Sequence, residues 1–209
     1  MPIHHRLASC QGRRDQALNR QLALEIASSQ DEGMLQELLL LFDTATEKRL
    51  LMEAILTIAY ISEINPQLVA SKVDFLIHQL NHQVSRVRWG SMMALSHLVT
   101  LHPEQIFQHV PEILTCMDRG SVVGRDYGFR ILVALYTYDH YAEDLFLIIL
   151  EQLSGAPSNQ LGQYTERLTF VLRGRHKPEL IRVLEHLRGD LENEHHLRRL
   201  DKNLKKLYK

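Results

Sequence analysis

Cysteine, glycine and proline are all scarce in this chain, and each scarcity removes a class of protein. Two cysteines, Cys10 and Cys116, among 209 residues make neither a disulfide framework nor a cysteine-based zinc site, so a reducing cytoplasm is the expected location. Ten glycines and six prolines are too few for an all-β chain, which spends such residues on its many tight turns. Long apolar runs are missing too. No stretch of about 18 uncharged apolar residues exists for a membrane span, and the start, Met1-Pro2-Ile3-His4-His5-Arg6, lacks the apolar core of a signal peptide. What is present is ordinary: 45% hydrophobic and 23% charged residues describe a chain able to bury a core. At about 100–200 residues per domain, one domain over 1–209 is expected.

The net charge of −1 conceals an asymmetry. From Arg167 to Lys209 there are twelve Lys/Arg against six Asp/Glu, whereas the preceding 166 residues carry twelve against nineteen. An acidic body with a basic end directs an anionic partner to one pole, unless the basic residues are only the solvated face of a last helix. The acidic body argues against a strongly basic nucleic-acid protein.

Internal repetition decides the fold. A shift of 37 places Val69, Val73, Leu76, Ile77 and Leu80 on Ile106, Val110, Ile113, Leu114 and Met117, and a further 36 reaches Ala142, Phe146, Ile149, Leu150 and Leu153. These positions form one helical face. The segments before them also superpose: Leu50, Ile55, Ile58 and Ile61 on Val87, Met92, Leu95 and Leu98, then on Gly124, Phe129, Leu132 and Leu135. Ala54, Ser91 and Gly128 form a column of small residues, as expected where helices approach closely. Each repeat therefore holds two helices. The first (about 45–63, 84–101 and 121–138) is apolar on most sides and must be sandwiched. The second is amphipathic, and in two repeats Pro66 or Pro103 opens it.

The turn sequence Asp118-Arg119-Gly120-Ser121-Val122-Val123-Gly124-Arg125, with Leu132 and Leu135, resembles the HEAT repeat; Asn81 through Val87-Arg88, with Ser91, Ala94 and Leu95, is a second copy. The likeness covers about 43–154. It implies an all-α, right-handed α-solenoid of about five helix pairs, in which Asp118 caps the following helix and Arg88 and Arg125 form part of a ladder. An opening pair is expected over about 14–43, with Asp31 as a helix cap. Clear repeats then fill about 44–154, and atypical helices lie within 158–207, at about 160–173, 178–190 and 193–207. Polar end helices suit a solenoid, whose last repeat has no neighbour to cover it.

Chemistry-bearing patterns are few. There is no phosphate loop, no Gly-x-Ser-x-Gly elbow and no Gly-x-Gly-x-x-Gly. His78 and His82 have the spacing of two ligands on one helical face, but an inter-repeat turn at Asn81 separates them, so no metal site, cofactor or catalytic group is expected. Cys116 reads as a packed thiol. Trp89 beside Arg88 echoes the HEAT-like alkylpurine DNA glycosylases, whose Trp-rich stretch and catalytic Asp context are absent here. Tyr136, Tyr138 and Tyr141 sit at a bend, either as a recognition edge or as filling between neighbouring bends.

The fold then implies a non-enzymatic protein-interaction or scaffold module binding a partner in a concave groove lined by second helices. The columns Lys72/His109/Leu145, Phe75/Glu112/Ile148 and His78/Thr115 should face that groove, with Phe75, Leu145 and Ile148 as apolar anchors if the next pair does not cover them. The alternative is nucleic-acid binding, with or without the glycosylase activity that the likeness to alkylpurine DNA glycosylases implies, through Arg173, Arg175, Lys177, Arg182, Arg198, Arg199, Lys202, Lys205 and Lys206.

Overall fold

Periodic apolar residues make helices, and among the described residues of the computed structural model, 2–13 and 15–208, every regular element is helical. Arg14, where the predicted opening helix begins, lies outside the described residues, as do Met1 and Lys209. In chain order the α-helices are α1 (Ala17–Ser29), α2 (Glu32–Thr44), α3 (Lys48–Ile64), α4 (Pro66–Val69), α5 (Val73–Gln79), α6 (Ser85–Leu98), α7 (Pro103–Gln108), α8 (Val110–Asp118), α9 (Val122–Tyr136), α10 (Ala142–Ser154), α11 (Ser158–Val171), α12 (Lys177–Gly189) and α13 (Glu194–Leu207). The contacts gather into two compact units, residues 1–131 and 132–209, where the sequence suggested one domain. The boundary falls inside α9.

In the first unit the repeat is visible in the backbone. Asn65 (φ −138°, ψ 82°) and His102 (φ −134°, ψ 52°) are the matched residues before Pro66 and Pro103. A proline's ring excludes the residue before it from the helical region, so each first helix stops there and a new one starts at the proline. Seven residues on, Lys72 (φ −107°, ψ 14°) and His109 (φ −106°, ψ 18°) share a second break, which splits each second helix into a short and a longer piece. All the matched second-helix positions from Val69 to Leu153 are buried except Leu114, which is half-buried.

The first helices are buried on most sides, as their composition requires. In α3, eleven residues are buried, Glu53 and Thr57 among them, and α3 packs against α1, α2 and α6. The small-residue column sits at close approaches. A Cβ on Gly128 would run into Met117 Cγ and lie 3.0 Å from Met92 Cε, and beside the column one on Gly90, next to Ser91, would lie 2.8 Å from Ile55 Cγ2. Asp31 caps α2, its carboxylate accepting from the Met34 N–H at 2.9 Å. The cap expected of Asp118 is supplied instead by Ser121, whose hydroxyl accepts from the Gly124 N–H at 3.4 Å, while Asp118 is exposed at the end of α8. Arg88 spans the preceding turn, donating to the carbonyls of His82 (2.9 Å) and Gln83 (3.0 Å).

The first unit is closed by a segment that the periodicity missed. Ile3, Leu7 and Ala8 are buried, and their backbone is held by side chains from three helices. Ile3 N–H donates to Glu37 (2.9 Å), Ala8 N–H to Asn19 (2.9 Å), and both the N–H and hydroxyl of Ser9 to Glu53 (3.0 and 2.8 Å). Buried Asn19 and Glu53 are thereby satisfied.

In the second unit, α10 packs on α11 and α12, and α13 packs on both α11 and α12. α13 is an amphipathic closing helix. Leu200, Asn203, Leu204 and Leu207 are buried, whereas Arg198, Lys202, Lys205 and Lys206 face solvent.

Candidate functional site

The residues expected to face a partner belong to second helices. In the first unit α5 carries Phe75 and His78 just after Lys72, and α8 carries Glu112 just after His109. Lys72, Phe75, His109 and Glu112 are half-exposed, and His78 and Thr115 are exposed. The two second helices are tied side by side, because Gln105 Nε2 on α7 donates to Asp74 Oδ1 on α5 at 2.5 Å. His109 Nδ1 lies 3.2 Å from Glu112 Oε1, so these two groups form one polar spot. Phe75 meets Phe42 edge-to-face at 5.1 Å, and Phe42 in turn meets His82 at 6.5 Å. Phe75 is therefore a supported aromatic, fixed on one side and open on the other. Lys72, Phe75 and His78 thus belong to one second helix and its entry, and His109 and Glu112 to the next.

The remaining anchors lie in the second unit, and one of them is corrected. Leu145 is 0% exposed, so it is core and not a partner contact. The helix that carries it, α10, packs against α11 and α12. Ile148 is half-buried. Leu147, 67% exposed, is the apolar residue that α10 turns outward, and Phe170 on α11 is 91% exposed.

The tyrosine bend holds the most connected side chains of the second unit. His176, at the end of the 3-10 turn 174–176, is buried and stacks on Phe146 with centroids 4.0 Å apart and planes at 8°. The backbone N–H of Arg173 can only donate, and it reaches Tyr136 Oη at 3.0 Å. The phenol then points its own proton at His176 Nδ1, 2.9 Å away, and the opposite ring nitrogen lies 3.2 Å from both Glu143 oxygens. One set of directions satisfies every group: the phenol donates to Nδ1 and Nε2 donates to the Glu143 carboxylate. The Glu143 carboxyl is held below the usual range by that hydrogen bond and by the nearby Arg175 guanidinium, while burial pushes the Tyr136 phenol up. Tyr136 is fully buried, so no substrate reaches it. The chain of bonds is a clasp joining α9, α10 and the turn before α12, which places Tyr136 and Tyr141 as filling at the bend.

Other chemistry expected from the sequence finds these places. Among the described residues no group of three or more His, Cys, Asp or Glu is placed to hold a metal ion. His82 Nδ1 instead accepts from the Val84 N–H at 3.0 Å. Cys116 is buried, which pushes its thiol up and away from thiolate chemistry. Trp89 is half-exposed, with the Arg86 guanidinium 5.8 Å from its ring centre. Among the described residues no helix is long and apolar enough to cross a membrane.

The basic end is partly neutralised. Arg173 pairs with Asp139, Arg175 with Glu143 at 2.5 Å, Arg182 with Glu179, Arg198 with Glu194 at 2.7 Å, and Arg199 with Glu166 at 2.7 Å. Among the described residues, Lys177, Lys202, Lys205 and Lys206 have no such carboxylate. The chain matches no protein-family model, no curated protein and no solved structure.

Proposed function

We propose that the chain is a HEAT-like α-solenoid working in the cytoplasm as a non-enzymatic protein-interaction module. The observation that carries this reading is the patch on adjacent second helices. Phe75, braced by Phe42, shares α5 and its entry with Lys72 and His78, and a hydrogen bond from Gln105 to Asp74 links this helix to the one before His109 and Glu112. A rigid aromatic within a polar rim is the arrangement that concentrates binding energy in a few residues. The repeated backbone breaks at Asn65/His102 and Lys72/His109 support the solenoid, because they place equivalent side chains at equivalent heights in successive pairs. Two free thiols, Cys10 exposed and Cys116 buried, fit a reducing compartment.

The test is a displayed library of peptides from the source proteome, selected on the purified chain and measured by titration calorimetry. Phe75→Ser is expected to weaken a selected peptide by roughly thirtyfold, corresponding to about 2 kcal/mol for a hot-spot residue. Leu147→Ser is expected to leave binding unchanged, and both variants should keep their helical signal. Equal binding by the folded Phe75 variant, or selection of no peptide, would overturn the reading.

A further inference from the structure

The closing helix offers a second surface with different chemistry, and its argument does not depend on the protein-binding patch. Four cations of α13, Arg198, Lys202, Lys205 and Lys206, line one shallow cleft together with Asp201. The acid within this cleft is already engaged: Asp201 accepts from Arg188 at 2.6 and 3.2 Å. Arg198 is paired with Glu194. The three lysines are exposed, and among the described residues no carboxylate pairs with them. Their field is felt nearby, since Lys206 and Lys202 add to the Arg199 hydrogen bond in holding the Glu166 carboxyl low. A second cleft, lined by Glu185, Arg188, Leu204 and Tyr208, shares Asp201 and Lys205 with the first. Tyr208 is 61% exposed, its hydroxyl anchored to Glu185.

We infer that this surface binds single-stranded nucleic acid, the phosphodiester backbone lying along Lys202, Lys205 and Lys206 and one base stacking on Tyr208. Lysine ammonium groups are compact point charges that meet phosphate oxygens from any direction. Here Arg188, Arg198 and Arg199 are committed to the chain's own acids. A free aromatic face is of use to an unstacked base and not to a duplex. The positive track is also short: Lys202 to Lys206 rises about 6 Å along a helix. The lysines of the track meet phosphates and read no base edge, so binding is indifferent to sequence.

The probe is a fluorescein-labelled twelve-residue oligothymidylate, titrated with the full chain and followed by anisotropy from 50 to 300 mM NaCl. Three neutralised phosphates give a slope of about −2 in log K against log salt. Replacing Lys202, Lys205 and Lys206 with Gln is expected to abolish binding at 50 mM NaCl without moving the melting temperature. Tyr208→Ala is expected to weaken binding about tenfold, whereas Tyr208→Phe keeps the ring and the affinity. Failure of the oligothymidylate to bind at 50 mM NaCl, or undiminished binding by the Gln variant, overturns the proposal. So does equal or tighter binding of a twelve-base-pair duplex, a poly-glutamate peptide or phosphatidylserine-containing vesicles. An unaffected Tyr208→Ala variant overturns the stacking role and with it the preference for single strands.

Discussion

Helices α3 and α6 meet through carbon, whereas α11 and α13 add charge and amide bonds to their buried leucines. At Gly90 and Gly128 in the first unit, neighbouring side chains fill the space that a Cβ would occupy, and the surrounding Ile55, Met92 and Met117 are fully buried. In the second unit, Arg199 lies across Gly162 to reach Glu166 with two bonds of 3.1 and 2.7 Å. Asn203 donates to the Gly162 carbonyl at 3.0 Å, and Arg188 holds Asp201. Glycine thus serves dispersion in one unit and side-chain hydrogen bonding in the other. Apolar packing is non-directional and tolerates repetition, so one residue pattern can be copied from pair to pair. Polar clasps need one partner in one geometry, so each is particular to its place.

The sharpest way to break this comparison is to overfill the apolar column. Gly128→Leu is expected to cost about 3 kcal/mol, since the Met117 and Met92 side chains must be displaced from a packed core. Guanidinium denaturation checks it, and a wild-type midpoint would mean that the column is not a close contact. Somewhat smaller, His176→Ala leaves the buried Tyr136 hydroxyl without its acceptor and should cost about 2 kcal/mol. A cycle with Tyr136→Phe should recover part of that loss, because removing both partners leaves no orphaned group.

Acid acts on both units, through different groups. His97 in α6 has its pKa lowered by burial, so its contribution to stability is present above the ordinary histidine value of about 6.5 and is lost as the pH falls below it. Glu166 has its pKa lowered by Arg199, so that contribution is present above the ordinary glutamate value of about 4.3 and is lost only in stronger acid. Melting temperatures from pH 7.5 to about 2 should therefore fall in two stages, and His97→Gln should flatten the first. The smallest effect belongs to exposed pairs: Glu194→Gln, which frees Arg198, should change stability by no more than about 0.5 kcal/mol.

The same difference explains what could be read from the sequence. Helix pairs from Lys48 to Ser154 were visible because their burial repeats every 36 or 37 residues. The Asp31 cap was visible because capping is local. The N-terminal segment was not: Ile3, Leu7 and Ala8 have no helical period, and Glu37, Asn19 and Glu53, the partners of Ile3, Ala8 and Ser9, come from three separate helices. Leu145 was misplaced because a one-residue ambiguity turns a helical position by about 100°. At a shift of 35, Leu145 and Ile149 fall on Leu180 and Leu184, and all four are fully buried. Of the candidate site, the half-exposed Phe75 and His109 were readable from their columns. The Tyr136–His176–Glu143 clasp was not, since its members lie 40 and 33 residues apart and follow no period.

Salt separates the two kinds of cohesion most directly, because it screens charge pairs and leaves apolar burial standing. Hydrogen exchange read by mass spectrometry at 0.05 and 1 M NaCl should show α11 and α13 losing protection by a few fold at high salt, in line with about 1 kcal/mol of partly exposed ion pairing. Peptides of α3 and α6 should keep or increase theirs. An equal loss in all four helices, or a loss confined to α3 and α6, would contradict the division between an apolar unit and a polar one.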